Sequence, residues 1–144
     1  MTILDHTIAA GVESDLRAYR RWRARIADIE LELADVSTAG TRPRPDSGLR
    51  VMRGAPSDPT LAVAASRDYL REERDRLLRR AQRVELCLEA LTADQRRLVE
   101  LRYFDRRSRD ETCKQMCISL RPYYRIRAEI LYVYAEVAGL IRTA

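Results

Sequence analysis

The stretch SRDETCKQMCISLRPYYRIRAEIL, residues 108–131, decides how the C-terminal third of this 144-residue chain folds. Ser108 and Glu111 have the spacing of a capping box, so a short helix is predicted to begin directly after Ser108. Three small or apolar side chains are predicted to form its buried face: Thr112, Cys113 and Met116.

A turn and a second helix are predicted to follow. The turn consists of Cys117, Ile118 and Ser119, with Ile118 directed at the core and Ser119 capping the next helix. Pro122 then lies in the first helical turn, where its missing N–H costs no hydrogen bond. Apolar residues recur at steps of three and four along this helix, at Tyr123, Ile126, Ile130, Val133, Val137 and Leu140. This pattern is that of a helix-turn-helix, whose second helix presents its N-terminal side chains to the major groove of DNA.

A third helix is predicted directly before this motif. Thr92 and Gln95 have capping-box spacing at its start. Its apolar face is formed by Leu98, Val99, Leu101, Tyr103 and Phe104. Residues 92–144 are therefore predicted to form one helical DNA-binding domain.

Residues 1–91 predict two long amphipathic helices. The apolar stripe of the first is Val12, Leu16, Tyr19, Trp22, Ile26, Ile29, Leu33 and Val36. The second helix is predicted from about Thr60 to Leu91, with a seam at Val63, Leu70, Leu77, Ala81, Val84, Leu88 and Leu91. Neither helix can bury its stripe alone, so each must pair with the other, with a second copy, or with both. The simplest arrangement is an antiparallel, coiled-coil-like hairpin, which makes the expected fold all-α.

Between these helices the composition changes. Residues 37–59 contain four of the five prolines and three of the five glycines, so 37–58 is predicted to be a linker or an exposed loop. Its basic residues are Arg42, Arg44, Arg50 and Arg53. Ser57 or Asp58 is the predicted N-cap of the second helix, and Pro59 its first residue.

The positive charge of the chain is concentrated on the helix-turn-helix. The whole chain has a net charge of +5, and residues 106–127 contain seven basic and two acidic side chains. A basic patch of this kind is the electrostatic footprint of a protein that binds a polyanion.

Two other kinds of site are not favoured. Cys113 and Cys117 lie four residues apart and could form half of a zinc site, but the only histidine, His6, is distant in sequence. A catalytic thiol also needs a histidine partner. The cysteines are therefore interpreted as small core residues. No Gly-rich phosphate loop or catalytic triad pattern is visible, so neither an enzyme nor a cofactor is expected.

The start of the chain lacks the basic and long apolar segments of a signal peptide. No stretch approaches the roughly 18 apolar residues needed to cross a bilayer. Three cysteines in such a chain indicate reduced thiols. A cytoplasmic protein without membrane contact is expected.

The longer segment LTADQRRLVELRYFDRRSRDETCKQMCISLRPYYRIRAEIL resembles the phage late-operon transcriptional regulators of the ArpU and RinA type. Those proteins end in a helix-turn-helix similar to region 4 of sigma factors. The matching positions are Leu91, Arg102 to Phe104, Ser108, Ile118, Ser119 and Tyr123 to Arg127. The chain differs at Cys117, where a glycine is usual, and at Arg109, where an aromatic residue is usual. The resemblance covers the C-terminal third well and the long helices loosely.

The resemblance implies a sequence-specific DNA-binding regulator of a phage late operon, for packaging or lysis genes, acting in the cytoplasm of the host bacterium. The residues expected to face base edges are Leu120, Arg121, Tyr124 and Arg125. Those expected to contact phosphates are Arg109, Lys114, Ser119 and Arg127. One half-site per protomer would require a homodimer or a higher oligomer on double-stranded DNA.

Two alternatives stay open. The chain could be a DNA-packaging protein of the small-terminase kind, which recognises phage DNA without regulating transcription. It could also be a sigma-like protein that binds the host RNA polymerase through the same domain. Salt-dependent duplex binding separates the two DNA-binding hypotheses from the third, and a late-promoter reporter separates the first two.

Overall fold

A computed structural model of the chain describes residues 4–39 and 59–142. All of the regular elements in these ranges are helical, which confirms the all-α prediction. The five α-helices are α1 (His6–Ala39), α2 (Pro59–Ala90), α3 (Ala93–Val99), α4 (Arg109–Met116) and α5 (Leu120–Val137). A π-helical segment, Glu100–Phe104, continues α3. Within the described ranges, none of the helices combines the length and apolar character that a membrane span requires.

The two long helices lie antiparallel along each other. The hydroxyl of Tyr19 donates to Glu85 at 2.8 Å, whereas Nε of Arg25, further along α1, donates to Glu73 at 2.9 Å, earlier on α2. The seam between α1 and α2 buries much of both predicted stripes, including Val12, Leu16, Ile26, Ile29, Leu70, Ala81, Val84 and Leu91. The stripes therefore cover each other within one chain.

Among the residues whose burial the structure describes, three predicted core positions are exposed, and the Val36 side chain lies outside that set. Val63 is 46% exposed because the first turns of α2, from Thr60 to Ser66, are open to solvent and the buried seam begins only at Leu70. Val137 ends α5 and is 38% exposed, and Leu140 follows a turn in which Gly139 has a φ of 70°, so the helical period is broken before it.

In its second half α5 buries a face that the stripe did not predict. Leu131, Tyr134 and Ala135 are at most 2% exposed. Helix α5 packs against α1 and α2 as well as α3, and Tyr134 donates a hydrogen bond to Asp15 of α1, so apolar side chains outside the predicted stripe are also buried.

The ends of the predicted linker differ slightly from the structure. Helix α1 continues to Ala39, so it includes the first residues assigned to the linker, and α2 begins at Pro59 as expected. The linker's basic residues and the N-cap at Ser57 or Asp58 lie outside the described residues.

One hydrophobic cluster joins the long helices to the C-terminal helices. It combines Val12 and Leu16 of α1 and Val84 and Cys87 of α2 with side chains of the C-terminal half, among them Leu98, Val99, Tyr103, Tyr123, Ile126, Ile130 and Tyr134. The hydroxyl of Tyr134 donates to Asp15 of α1 at 2.8 Å. The core thus crosses the predicted domain boundary at residue 92, so α1 and α2 hold the C-terminal helices directly.

Both predicted capping boxes are present. At the start of α3, Thr92 Oγ1 accepts from the Gln95 N–H at 3.3 Å and the Thr92 N–H donates to Gln95 Oε1 at 3.0 Å. At the start of α4, Ser108 and Glu111 exchange the same pair of bonds at 3.1 and 3.4 Å. These reciprocal bonds satisfy N–H groups that have no partner within the helix.

The π-helical segment was not predicted. Its wider turn is closed by the Asp105 N–H, which donates to the Glu100 carbonyl at 2.8 Å. The segment turns Leu101 and Tyr103 into the core and places Phe104 against Tyr19 of α1, with 5.2 Å between the ring centroids. It therefore fixes the approach of the C-terminal helices to α1.

Candidate nucleic-acid interface

The turn between α4 and α5 forms with a cysteine at its critical position. Cys117 adopts the left-handed conformation, with φ 55° and ψ 45°, in which glycine is favoured. The N–H of Ile118 donates to the Cys113 carbonyl at 3.0 Å, which satisfies an end group of α4. Ile118 packs partly buried against the core. The short connection that the sequence predicted is thus formed, at the cost of local backbone strain.

Helix α5 presents one exposed face at its N-terminal end. The four residues expected to read bases, Leu120, Arg121, Tyr124 and Arg125, are all exposed. On the other side of the helix Tyr123 is 2% and Ile126 8% exposed. The rotation of α5 about its axis is the one inferred from the sequence, and contact with DNA by these four residues stays a prediction.

Arg109 connects the start of α4 to this face. Its Nη1 donates to the hydroxyl of Tyr124 at 2.7 Å, and its Nε lies 3.3 Å from Asp110. The hydrogen bonds to Tyr124 and then to Asp110 raise the pKa of Arg109. The guanidinium is exposed, so it holds the Tyr124 phenol while its remaining donors face solvent.

Two further residues expected at phosphates are also on the surface. Lys114 is exposed and forms no ion pair within the part of the chain that the structure describes. Ser119 occupies the N-cap position of α5, but its side chain accepts no capping hydrogen bond, contrary to prediction. Because the hydroxyl is exposed and not used by the helix, it is free for an external acceptor or donor.

Arg127 lies in a different environment from the other expected contacts. It is partly buried and ion-paired with Glu13 of α1, which also accepts a hydrogen bond from Tyr103 at 3.3 Å. Burial, the largest single effect, would lower the pKa of Arg127, but its interactions with Glu13 and Tyr103 together outweigh burial, and the pKa is raised. The guanidinium is used to hold α5 against α1, so the expected phosphate contact is not supported by its position.

A cleft that the sequence did not reveal lies beside the exposed face of α5. Its volume is about 490 Å³, and it is lined by Glu13, Arg102, Ser108, Arg109, Asp110, Tyr123, Tyr124 and Arg127. Arg102 spans its wall, donating from Nε to the Tyr123 hydroxyl at 3.3 Å and from Nη1 to the Arg107 carbonyl at 3.0 Å. These bonds tie the loop before α4 to α5.

Two arginines of that loop were not assigned a role from the sequence. Arg106 and Arg107 are exposed, and neither side chain has an ion-pair partner in residues 4–39 or 59–142. Arg106 has a φ of 56°, the left-handed conformation, so the chain turns sharply there. The excess of basic residues in 106–127 was the sequence signal for a role of Arg106 and Arg107. It could not show which of the basic side chains lack an acidic partner.

The two cysteines of the motif have different surroundings. Cys113 is 8% exposed in the core, whereas Cys117 is exposed and its sulfur lies 3.8 Å from the Lys114 carbonyl. Across the described residues, no cluster of three or more His, Cys, Asp or Glu side chains has a geometry suited to a metal ion.

Comparisons of the chain with protein-family models, with curated proteins and with solved structures give no match. The functional proposal accordingly depends on the geometry and charge of this chain, together with the motif resemblance.

Proposed function

We propose that the chain binds double-stranded DNA, with α4 and α5 as a helix-turn-helix and the N-terminal half of α5 in the major groove. The antiparallel pair of α1 and α2 would serve as the helical hairpin that supports this unit. The observation that carries the proposal is the exposed face of α5, where Arg121 and Arg125 stand beside Leu120 and Tyr124 without an acidic partner in the described ranges.

This face has the chemistry of base readout. An arginine fork forms two hydrogen bonds with guanine O6 and N7, and an apolar side chain such as Leu120 packs against a thymine methyl group. Tyr124 adds a hydroxyl whose direction is set by Arg109. The first two turns of a recognition helix are the part that reaches base edges in proteins of this class.

Phosphate contacts would come from the residues that flank this face. Lys114 and Arg109 lie on α4, Ser119 at the start of α5, and Arg106 and Arg107 on the loop before α4. These positions surround the recognition helix on its N-terminal side. Charge neutralisation here would supply much of the affinity, and readout by α5 the sequence preference.

The biological role that best accompanies this activity is regulation of a phage late operon, as the motif resemblance implies. The small-terminase and sigma-like alternatives would use the same surface. In a reporter strain, the chain should change expression from a late promoter if it is a regulator, and leave expression unchanged if it only packages DNA.

The decisive experiment measures binding to labelled duplex DNA over a range of salt concentrations. We expect affinity to fall with salt, and Lys114→Ala to weaken binding to all sequences while reducing the salt slope by about 0.9, the value for one phosphate. Arg71→Ala, which removes an exposed arginine at the far end of α2, is the matched control and should change neither quantity.

Sequence preference is tested by selection from a randomised duplex pool. Arg121→Ala and Arg125→Ala should each relax the preference at one or two base pairs, by about 1–3 kcal/mol. The proposal fails if the chain does not bind duplex DNA at low salt, or if Arg71→Ala weakens binding as much as Lys114→Ala does. Binding to RNA polymerase without binding to DNA would favour the sigma-like alternative.

A further inference from the structure

Charge is distributed unevenly along the pair formed by α1 and α2. We define the distal part as residues 25–39 and 59–73, the end remote from the C-terminal helices, and the proximal part as residues 4–24 and 74–91. The distal part contains seven acidic and three basic residues, a net charge of −4. The proximal part contains six acidic and nine basic residues, a net charge of +3. The antiparallel packing creates this polarity, because it brings the acidic end of α1 beside the acidic start of α2.

The ion pairs within the distal part do not neutralise all of its carboxylates. A single guanidinium, that of Arg25, lies 2.9 Å from Glu73, 2.8 Å from Asp28 and 3.8 Å from Glu32. Its hydrogen bond to Glu73 lowers the pKa of that carboxyl. Glu30 and Glu72 are exposed and form no ion pair with any residue that the structure describes.

The proximal part has a matching excess of positive charge. Four arginines follow one another on one face of α2 at the spacing of helical neighbours: Arg76, Arg79, Arg80 and Arg83. All four are exposed, and none is ion-paired with an acidic side chain in the described ranges. Like charges at this spacing repel one another, so an external acidic surface would stabilise the helix.

Exposed apolar side chains accompany the acidic charge. Leu31, Leu61 and Tyr69 all belong to the distal part and are 62–69% exposed. Leu86, in the proximal part, is 55% exposed beside the arginines. Apolar surface next to unpaired charge is typical of a surface that another protein covers.

We propose that this surface binds a second copy of the chain, with the two α1–α2 pairs side by side and pointing in opposite directions. The acidic distal part of each copy then lies on the basic proximal part of the other. A two-fold axis repeats every contact, so both excess charges are neutralised at once. At 1.5 Å per residue α1 is about 50 Å long, which gives a contact long enough for a stable dimer.

The proposed dimer goes beyond DNA binding and does not depend on it. It also differs from the interface expected from the sequence, because the stripes that could have formed a seam between copies are buried within one chain. Another source of positive charge adjoins the distal part in sequence: the connection 40–58 contains four arginines and two aspartates. If this segment covered the acidic end of its own chain, binding a second copy would neutralise no further charge there.

The test uses two full-length charge-reversal variants and sedimentation velocity. In Glu30→Lys/Glu72→Lys the distal part becomes basic, and in Arg76→Glu/Arg83→Glu the proximal part becomes acidic. We expect the unmodified chain to dimerise at micromolar concentration, and each variant alone to dimerise at least tenfold more weakly. An equimolar mixture of the two variants should form heterodimers, because every contact then joins opposite charges again.

Circular dichroism establishes that both variants fold. The charge-reversal control is Arg142→Glu, at an exposed position outside the proposed interface, and it should dimerise like the unmodified chain. The proposal is overturned if the unmodified chain is monomeric at high micromolar concentration. It is equally overturned if folded variants fail to form heterodimers when mixed, which is the outcome expected when the connection 40–58 covers the acidic end. Failure of DNA binding in the duplex experiment would leave these results unchanged, so the two proposals are separable.

Discussion

Arg127 of α5 is ion-paired with Glu13 of α1, a residue 114 positions earlier in the chain. The Arg127 side chain is 31% exposed and that of Glu13 is 15% exposed. Glu13 also accepts hydrogen bonds from Arg17 and from Tyr103. One carboxylate thus connects α1, the π-helical segment and α5, and it sets the position of the helix proposed to read DNA.

Removing either partner of this ion pair should destabilise the fold. Glu13→Ala and Arg127→Ala should each lower the free energy of unfolding by about 1–3 kcal/mol, because hydrogen bonds to a charged group are lost and the remaining partner is left partly buried. The double variant should lose less than the sum of the two. Urea denaturation measures all three, and Glu89→Ala, an exposed acid on α2, is the control.

The same variants test the phosphate contact first expected for Arg127. Arg127→Ala should leave the salt slope of DNA binding unchanged under conditions where the variant is folded. If Arg127→Ala reduced the salt slope as much as Lys114→Ala does, Arg127 would contact a DNA phosphate in addition to its ion pair with Glu13.

Tyr123 and Tyr124 are adjacent in sequence but should respond oppositely to substitution. Tyr123 is 2% exposed in the core, so Tyr123→Ala should cost about 3–5 kcal/mol of unfolding free energy. Tyr124 is 45% exposed, and Tyr124→Ala should change stability by no more than about 0.5 kcal/mol while weakening duplex binding. Thermal unfolding and DNA titration distinguish the two, and equal losses of stability would refute this orientation of α5.

Glycine should stabilise the fold at the two non-glycine residues that adopt positive φ within residues 4–39 and 59–142. Cys117→Gly and Arg106→Gly, at φ 55° and 56°, should each raise the free energy of unfolding by about 0.5–1 kcal/mol, because the strain of a side chain in the left-handed region is removed. Gln115→Gly, inside α4, is the matched control and should lower stability by about 1 kcal/mol. Destabilisation by Cys117→Gly of the size seen at Gln115 would contradict the turn geometry.

Alkaline pH should lower the free energy of unfolding, and deprotonation of Cys87 should contribute to this decrease. Burial raises the pKa of this thiol from 9.0 to about 12, and burial also raises the pKa values of Tyr103 and Tyr134 above 10.0. Above pH 9 the unfolded chain therefore loses protons that the folded chain retains, so stability is full below pH 9 and decreases as the pH rises.

Urea denaturation at a series of pH values from 8 to 10 measures this decrease, and Cys87→Ala should make it shallower. Cys117→Ala, which removes an exposed thiol, is the matched control variant. A slope that Cys87→Ala leaves unaltered would show that other groups cause the alkaline loss.

Local signals in the sequence determined most of the secondary structure. The capping boxes at Thr92 and Ser108, the Pro59 start of α2 and the stripe from Val12 to Ile29 depend on neighbours within a few residues, and all are present in the structure. The exposed and buried sides of α5 followed from the same short-range periodicity. The π-helical segment was not predicted, and its contact between Phe104 and Tyr19 joins residues that are far apart in the chain, which short-range periodicity does not report.

Tertiary structure alone decided which charges are available to a partner. Arg109, Lys114 and Arg127 look equivalent in sequence, yet one holds Tyr124, one is unpaired among the described residues and one is ion-paired with Glu13. Likewise, the acidic end of α1 and the acidic start of α2 become one surface only through antiparallel packing. The reason is that charge pairing depends on distances of a few Å between residues far apart in the chain, and periodicity within a helix carries no information on those distances.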